Sequence, residues 1–174
     1  FHPLLHAAAQ TVGFYDLMIV DARTGRVIYG MIKEEDFGTS LRTGPYRDTN
    51  IAAVLAHCAG STDSSKTCLE DFSAYLPSAG KPTAFMGAPI VDQGVVTGVL
   101  IAQMPIDEID DTVTGGRRWR QEGFGATGEA YLVGPDFSLR SAPRLYYENR
   151  EAYFVTLRES GHSKEEIAAI ERFG

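Results

Sequence analysis

The segment "YGMIKEEDFGTSLRTGPY", Tyr29 to Tyr46, holds the densest set of residues that could do chemistry. An apolar run ends in Lys33, Glu34, Glu35 and Asp36. Consecutive carboxylates can bind a metal or exchange protons. In an extended chain, however, alternate side chains face opposite sides, so these three acids cannot all converge on one ligand. A metal site would need further ligands. None of His2, His6, His57 or His162 falls in a His-x-x-x-His, Cys-x-x-Cys or EF-hand pattern. His2 and His6 sit four apart, with Pro3 between and no HExxH glutamate, and read as a surface helix pair.

Nucleophilic chemistry has less support. There is no G-x-S-x-G elbow, and adjacency of His57 and Cys58 points their side chains apart. "GFGATG" matches G-x-G-x-x-G at Gly123, Gly125 and Gly128, but the strand-like "EAYLVG" follows where a phosphate-binding loop would open a helix. No catalytic constellation emerges, so the chain reads as a binding or sensing module, not an enzyme. No metal or cofactor is implied.

Several elements must position these residues. Pro3 to Val12 has helical periodicity. "YDLMIVD", Tyr15 to Asp21, and "RVIYGMIK", Arg26 to Lys33, read as strands joined by a turn with Gly25 in its left-handed position. Thr49 to His57 is a helix capped by Asp48 or Thr49. "CLEDFSAYLPSAGKP" runs extended into a turn at 78–81. Thr83 to Val91 and Val95 to Pro105 form a hairpin around "DQG". "IDEIDDTVTGG" reads as a helical exit. An antiparallel five-stranded sheet with helices, an α+β unit spanning residues 1–114, fits this order. From Gly115 the chain reads as a helix, a hairpin through "EAYLVG" and "PDFS", and further helix. Ser163 and Glu166 there form a capping box. Residues 115–174 thus read as the start of a second, truncated module.

Bulk properties narrow the partners. With 174 residues, 44% hydrophobic and 22% charged, a folded core is expected. A net charge of −7 argues against a nucleic-acid surface, although Arg117, Arg118 and Arg120 cluster beside Trp119. No apolar run reaches the roughly 20 residues that cross a bilayer. The first residue is Phe1, and the sequence reads as a piece of a longer protein. Cys58 and Cys68 bracket a Gly- and Ser-rich loop. A disulfide and two separate thiols are equally open.

"KEEDFGTSL", "DFSAYLPSAGKPTAF", "GVLIAQMP" and "TGEAYLVGPDFSLRS" together resemble the extracytoplasmic Cache (PAS-like) sensor domains of bacterial transmembrane receptors, foremost methyl-accepting chemotaxis proteins. The resemblance spans nearly the whole chain. It implies a PAS-like five-stranded antiparallel sheet flanked by helices, with an N-terminal helix and a partial second module. It further implies a periplasmic or extracellular location in an inner-membrane protein, membrane contact only through segments of the parent chain, and a homodimer in the full receptor. Function would follow from a small molecule bound between the sheet and its covering loops, shifting a helix connected to a cytoplasmic output domain. The implied pocket would draw its walls from Tyr29, Met31, Tyr75, Phe85 and Met86, and its polar groups from Lys33, Asp36 and Gln103. Lys33 has two readings: a partner for an anionic ligand group, or an i, i+3 partner of Asp36 or solvated strand end. Glu34 and Glu35 read as solvated, and Phe37 as packed under the turn before Gly38. Amino-acid sensors of this kind commonly carry an Asp where this chain has Gln103. A neutral amide cannot give an ammonium a charge-assisted bond, so carboxylates, polyols and other metabolites come into view as ligands. The alternative is a structural or dimerisation module without a ligand, which a filled core would favour.

Overall fold

A computed structural model describes residues 2–173. Helix α1 (His2–Val12) leads into β1 (Asp16–Asp21) and β2 (Val27–Gly30). A covering loop then runs to α2 (Asn50–Ala59), β3 (Cys68–Tyr75), a 3-10 turn (Leu76–Ser78), β4 (Lys81–Asp92) and β5 (Val95–Pro105). These strands form one antiparallel sheet in the order β2-β1-β5-β4-β3. The α+β, PAS-like five-stranded reading therefore holds. The "DQG" turn places Gln93 at φ 48° and Gly94 at φ 78°, the doubly positive pair that matches strand twist in a tight hairpin.

The two sheet faces differ. Met18, Val20, Phe85, Val99 and Ile101 point to one face and pack against Ile51, Val54, Leu55 and Cys58 of α2. The helix comes so close that a Cβ at Gly87 would lie 2.5 Å from Val54 Cγ1. Leu17 and Ala102 point to the other face, where Ala9 and Leu5 of α1 cover them. Cys58 and Cys68 form a disulfide with a Cα–Cα separation of 6.0 Å, tying the end of α2 to the start of β3.

The second strand ends earlier than its β-rich sequence predicts. Asp16 Oδ1 accepts from the backbone N–H groups of Met31 and Ile32, at 2.9 and 3.2 Å, and Lys33 turns the chain at φ 61°. The Met31 N–H is shared between this carboxylate and the Leu17 carbonyl at 3.1 Å, and beyond it the carboxylate takes the Ile32 N–H.

Residues 1–105 pack as one compact unit and residues 106–174 as another, with α3 (Ile106–Thr114) at the start of the second. The second unit continues through α4 (Arg144–Glu148), α5 (Arg150–Glu159) and α6 (Lys164–Phe173). Tyr146, Phe154, Leu157 and Ile167 form its core. Ser163 and Glu166 exchange the expected capping-box bonds. The strand expected at "EAYLVG" is replaced by a single bridge, Val133 to Leu139. Ser141 Oγ takes the Leu132 N–H, and Tyr131, Leu132 and Val133 are solvent-exposed, so the hairpin gains little from burial. The "GFGATG" loop presents the carbonyls of Gly125 and Gly128 to the Arg144 guanidinium, at 3.2 and 3.0 Å.

Candidate functional site

Strand pairing decides which candidate residues can meet. Phe85 pairs with Gln103, and Gln103 pairs with Asp16. These three therefore share the face of Val99 and Ile101, under α2. Between β1 and β2 the register slips: Ile19 faces Tyr29, yet Val20 faces Val27. This bulge puts Val27 under α2 and turns Tyr29 to the opposite face with Ile19. Met31 joins the α1 cluster, and Met86, opposite Ala102, also lies on that side. The single pocket wall expected from the sequence is thus two walls. Asp36, Tyr75, Phe85 and Gln103 meet on the α2 face. Tyr29, Met31 and Lys33 meet on the other.

The α2-face group is polar and buried. Tyr75, fully buried, stacks edge-on to Phe85 at 4.9 Å and lies 6.1 Å from the Tyr46 ring. Its hydroxyl donates to Asp36 Oδ2 at 2.5 Å. Asp36 also fixes the loop, because its carbonyl accepts from the Thr39 N–H and hydroxyl before Gly38 turns at φ 79°. Gln103 Nε2 donates to Ser78 Oγ at 2.8 Å, and Ser78 Oγ donates to Glu34 Oε2 at 2.9 Å. Tyr15 donates to the other oxygen of Glu34 at 3.2 Å. Glu34 is therefore half-buried and bonded, not solvated. Among the described residues, Gln103 Oε1 is the one buried side-chain oxygen or nitrogen without a partner.

Burial governs the ionisation of this site. Burial, with the nearby Asp36 charge adding to it, pushes the Asp16 carboxyl up to about 6 against backbone hydrogen bonds from Ile32, Leu17 and Met31. Burial and the bond to Asp36 hold the Tyr75 phenol far above its ordinary range. Burial also raises Tyr46, with the charges of Glu35 and Asp36 contributing. Asp16, Asp36, Glu34 and the free oxygen of Gln103 are arranged to receive a hydrogen-bond donor, best a cationic one.

The opposite face carries a shallow hollow of about 470 Å³ lined by His2, Ile28, Tyr29, Met31, Lys33 and Phe37. His2 Nδ1 lies 2.8 Å from the Tyr29 hydroxyl, and Lys33 Nζ lies 5.6 Å from the centre of the Phe37 ring. Phe37 is exposed, not packed beneath the turn.

Buried Asp16, half-buried Glu34 and Ser78, and exposed Tyr15 also join this hydrogen-bonded group, beyond the residues that sequence patterns single out. For Asp16 a signal exists: an acid opening an apolar strand, "YDLMIV". Its register against Gln103 is visible only once strands β1 and β5 are paired.

No family model matches the sequence, and no curated protein matches it. Solved structures do. The ligand-binding domain of the Pseudomonas fluorescens chemoreceptor CtaA in complex with L-serine superposes at a TM-score of 0.53 and 20% identity, over 82% of this chain and 53% of that one. The same domain with L-isoleucine gives 0.51 at 19% identity, over 78% and 48%. The sensory domain of the Campylobacter jejuni chemoreceptor Tlp3 gives 0.52 at 12% identity, over 86% and 54%. The chain spans about half the length of these domains and has their fold, that of chemoreceptor sensor domains.

Proposed function

We propose that the chain is the extracytoplasmic sensor portion of a bacterial transmembrane receptor, binding a small molecule at the α2-face cluster and passing a conformational signal to a cytoplasmic output domain. One observation carries this reading: Asp16, Asp36 and Gln103 converge as buried acceptors beneath the 31–46 loop, with Gln103 Oε1 lacking a donor. A ligand ammonium or similar donor group satisfies this arrangement. Gln103 alone speaks against an α-amino acid, but the neighbouring carboxylates supply the charge that the amide lacks. L-serine and L-isoleucine, bound by the CtaA domain, are ligands of this type. Residues 115–174 are proposed as the opening of a second module, and homodimerisation as the state of the full receptor. Membrane contact is proposed to lie in segments of the parent chain; among the described residues no helix is long and apolar enough to cross a membrane.

A second reading, a structural or dimerisation module without a ligand, draws on Tyr75 and Phe85, which fill the core where a cavity would lie, and on exposed Leu4 and Val12 along α1. A thermal-shift screen against amino acids, amines, organic acids and polyols separates the two. A ligand at about 100 times its Kd stabilises the fold by about 2.7 kcal/mol. The sensor reading expects such a shift from an amine-bearing compound and its loss in Asp36→Asn. Silence across the whole panel favours the second reading.

A further inference from the structure

The run Lys33-Glu34-Glu35-Asp36 is electrically lopsided in the folded chain. Two of the acids have hydrogen-bond donors: Glu34 receives Tyr15 and Ser78, and Asp36 receives Tyr75; burial together with the Glu35 charge raises the Tyr46 phenol. Among the described residues Lys33 makes no ion pair. Its ammonium leans on the exposed Phe37 ring, on the face away from the acid cluster. The chain reaches this geometry through φ 61° at Lys33, a conformation that side-chain-bearing residues adopt at a cost. His2 and Tyr29 present polar atoms to the same hollow, and Ile28, Met31 and Phe37 give it an apolar floor.

We infer that this hollow is a second ligand site, separate from the α2-face cluster, for a small carboxylate with an apolar or aromatic body. Lys33 pairs with the carboxylate. The Tyr29–His2 pair donates a hydrogen bond to it, and the body rests on Phe37, Met31 and Ile28. The volume suits a compact metabolite, though the hollow is open on one side and binding is correspondingly weak. The opposite polarity of the two sites follows from one segment, because residues 33–37 send their acids to one face and their lysine to the other.

Benzoate serves as the probe and benzamide as its neutral counterpart, each titrated up to about 10 mM into the 174-residue chain under two-dimensional NMR. Benzoate is expected to shift resonances of residues 28–33 and 37, and benzamide to bind at least about tenfold more weakly. Lys33→Met and Phe37→Ala should each weaken benzoate about tenfold or more, with circular dichroism confirming the fold. Asp36→Asn, which disables the proposed α2-face site, should leave benzoate binding intact, so the two proposals fail separately. Equal binding of benzoate and benzamide, unchanged affinity in Lys33→Met, or no shift at the highest concentration would each overturn the inference.

Discussion

The Tyr75 hydroxyl meets Asp36 Oδ2 at 2.5 Å, both residues buried and 39 positions apart in sequence. The bond fastens the 31–46 loop to the last residue of β3, so the covering loop and the sheet form one structure on the α2 face. Tyr75→Phe keeps the ring packing against Phe85 and Tyr46 but removes the hydroxyl that donates to that carboxylate oxygen. A hydrogen bond to a charged group contributes about 1.5–3 kcal/mol, and the orphaned carboxylate adds to the loss. Urea denaturation of Tyr75→Phe should show a destabilisation of about 2 kcal/mol or more. Asp36→Asn, which keeps an acceptor, should lose less. Equal stability of Tyr75→Phe and the parent would mean that the bond contributes nothing net.

This pair also shows what a sequence can and cannot reveal. Apolar strand runs, the "DQG" turn and the Ser163–Glu166 box are local patterns, and the elements they predict are present. Tyr75, Phe85, Asp36 and Gln103 stand out in the sequence as candidates and do come together. Tyr29 and Met31 leave that group because one bulge between Ile19 and Val20 reverses which face they point to, and bulges carry no fixed sequence signature. Asp16 escapes a sequence reading because its role depends on register against β5 and on N–H groups of residues 31 and 32, all non-local. "EAYLVG" has strand-forming residues but gains only one bridge. β-propensity reports a fit to a half-buried pleated surface, and Tyr131, Leu132 and Val133 are exposed.

Asp16 sets a pH dependence of unusual sign. Its folded-state carboxyl sits near 6, above the ordinary value of 3.8, so the folded chain holds this proton more tightly than the unfolded chain does. Stability from this group is full below about pH 4 and is lost as pH rises towards 6, by of order 2 kcal/mol. Asp16→Asn keeps an oxygen for the Met31 and Ile32 N–H groups but cannot ionise. Thermal melts from pH 4 to 7 should therefore show the Asn variant gaining on the parent as pH rises. A constant difference between the two would place the Asp16 carboxyl at its ordinary value. An ammonium ligand favours the ionised form, so its affinity should fall as pH drops through 6.

The Cys58–Cys68 bridge closes a loop with a sequence separation of 10. Chain-entropy arguments give such a loop about 2.5–3 kcal/mol. Both sulfurs sit in the α2-face core, beside a His57–Glu70 pair at 2.7 Å that bridges the same helix and strand. Reduction should lower the denaturant midpoint by an amount matching that stabilisation. Cys58→Ala with Cys68→Ala should reproduce the drop and abolish any further response to reductant. A parent chain indifferent to reductant would mean the loop is held by α2 packing alone.

Arg144 is the corresponding fastening in the second unit. Its guanidinium is buried, reaches Glu148 at 2.8 Å and the carbonyls of Gly125 and Gly128, and lies 5.0 Å from the centre of the Trp119 ring. One side chain thus ties its own helix to the earlier "GFGATG" loop and to Trp119. A methionine of similar reach keeps much of the packing but none of the donors, and it leaves Glu148 and two carbonyls without their partner. Arg144→Met should cost about 1–3 kcal/mol, mainly from the carbonyls of Gly125 and Gly128 left without a donor, since Glu148 is half exposed and returns to water. Arg144→Lys should fall between, since an ammonium cannot span the same acceptors as a planar fork. Hydrogen exchange across residues 124–148 reads the effect directly. Exchange is expected to quicken in the order parent, Arg144→Lys, Arg144→Met, and unchanged protection would show that the loop is held without the guanidinium.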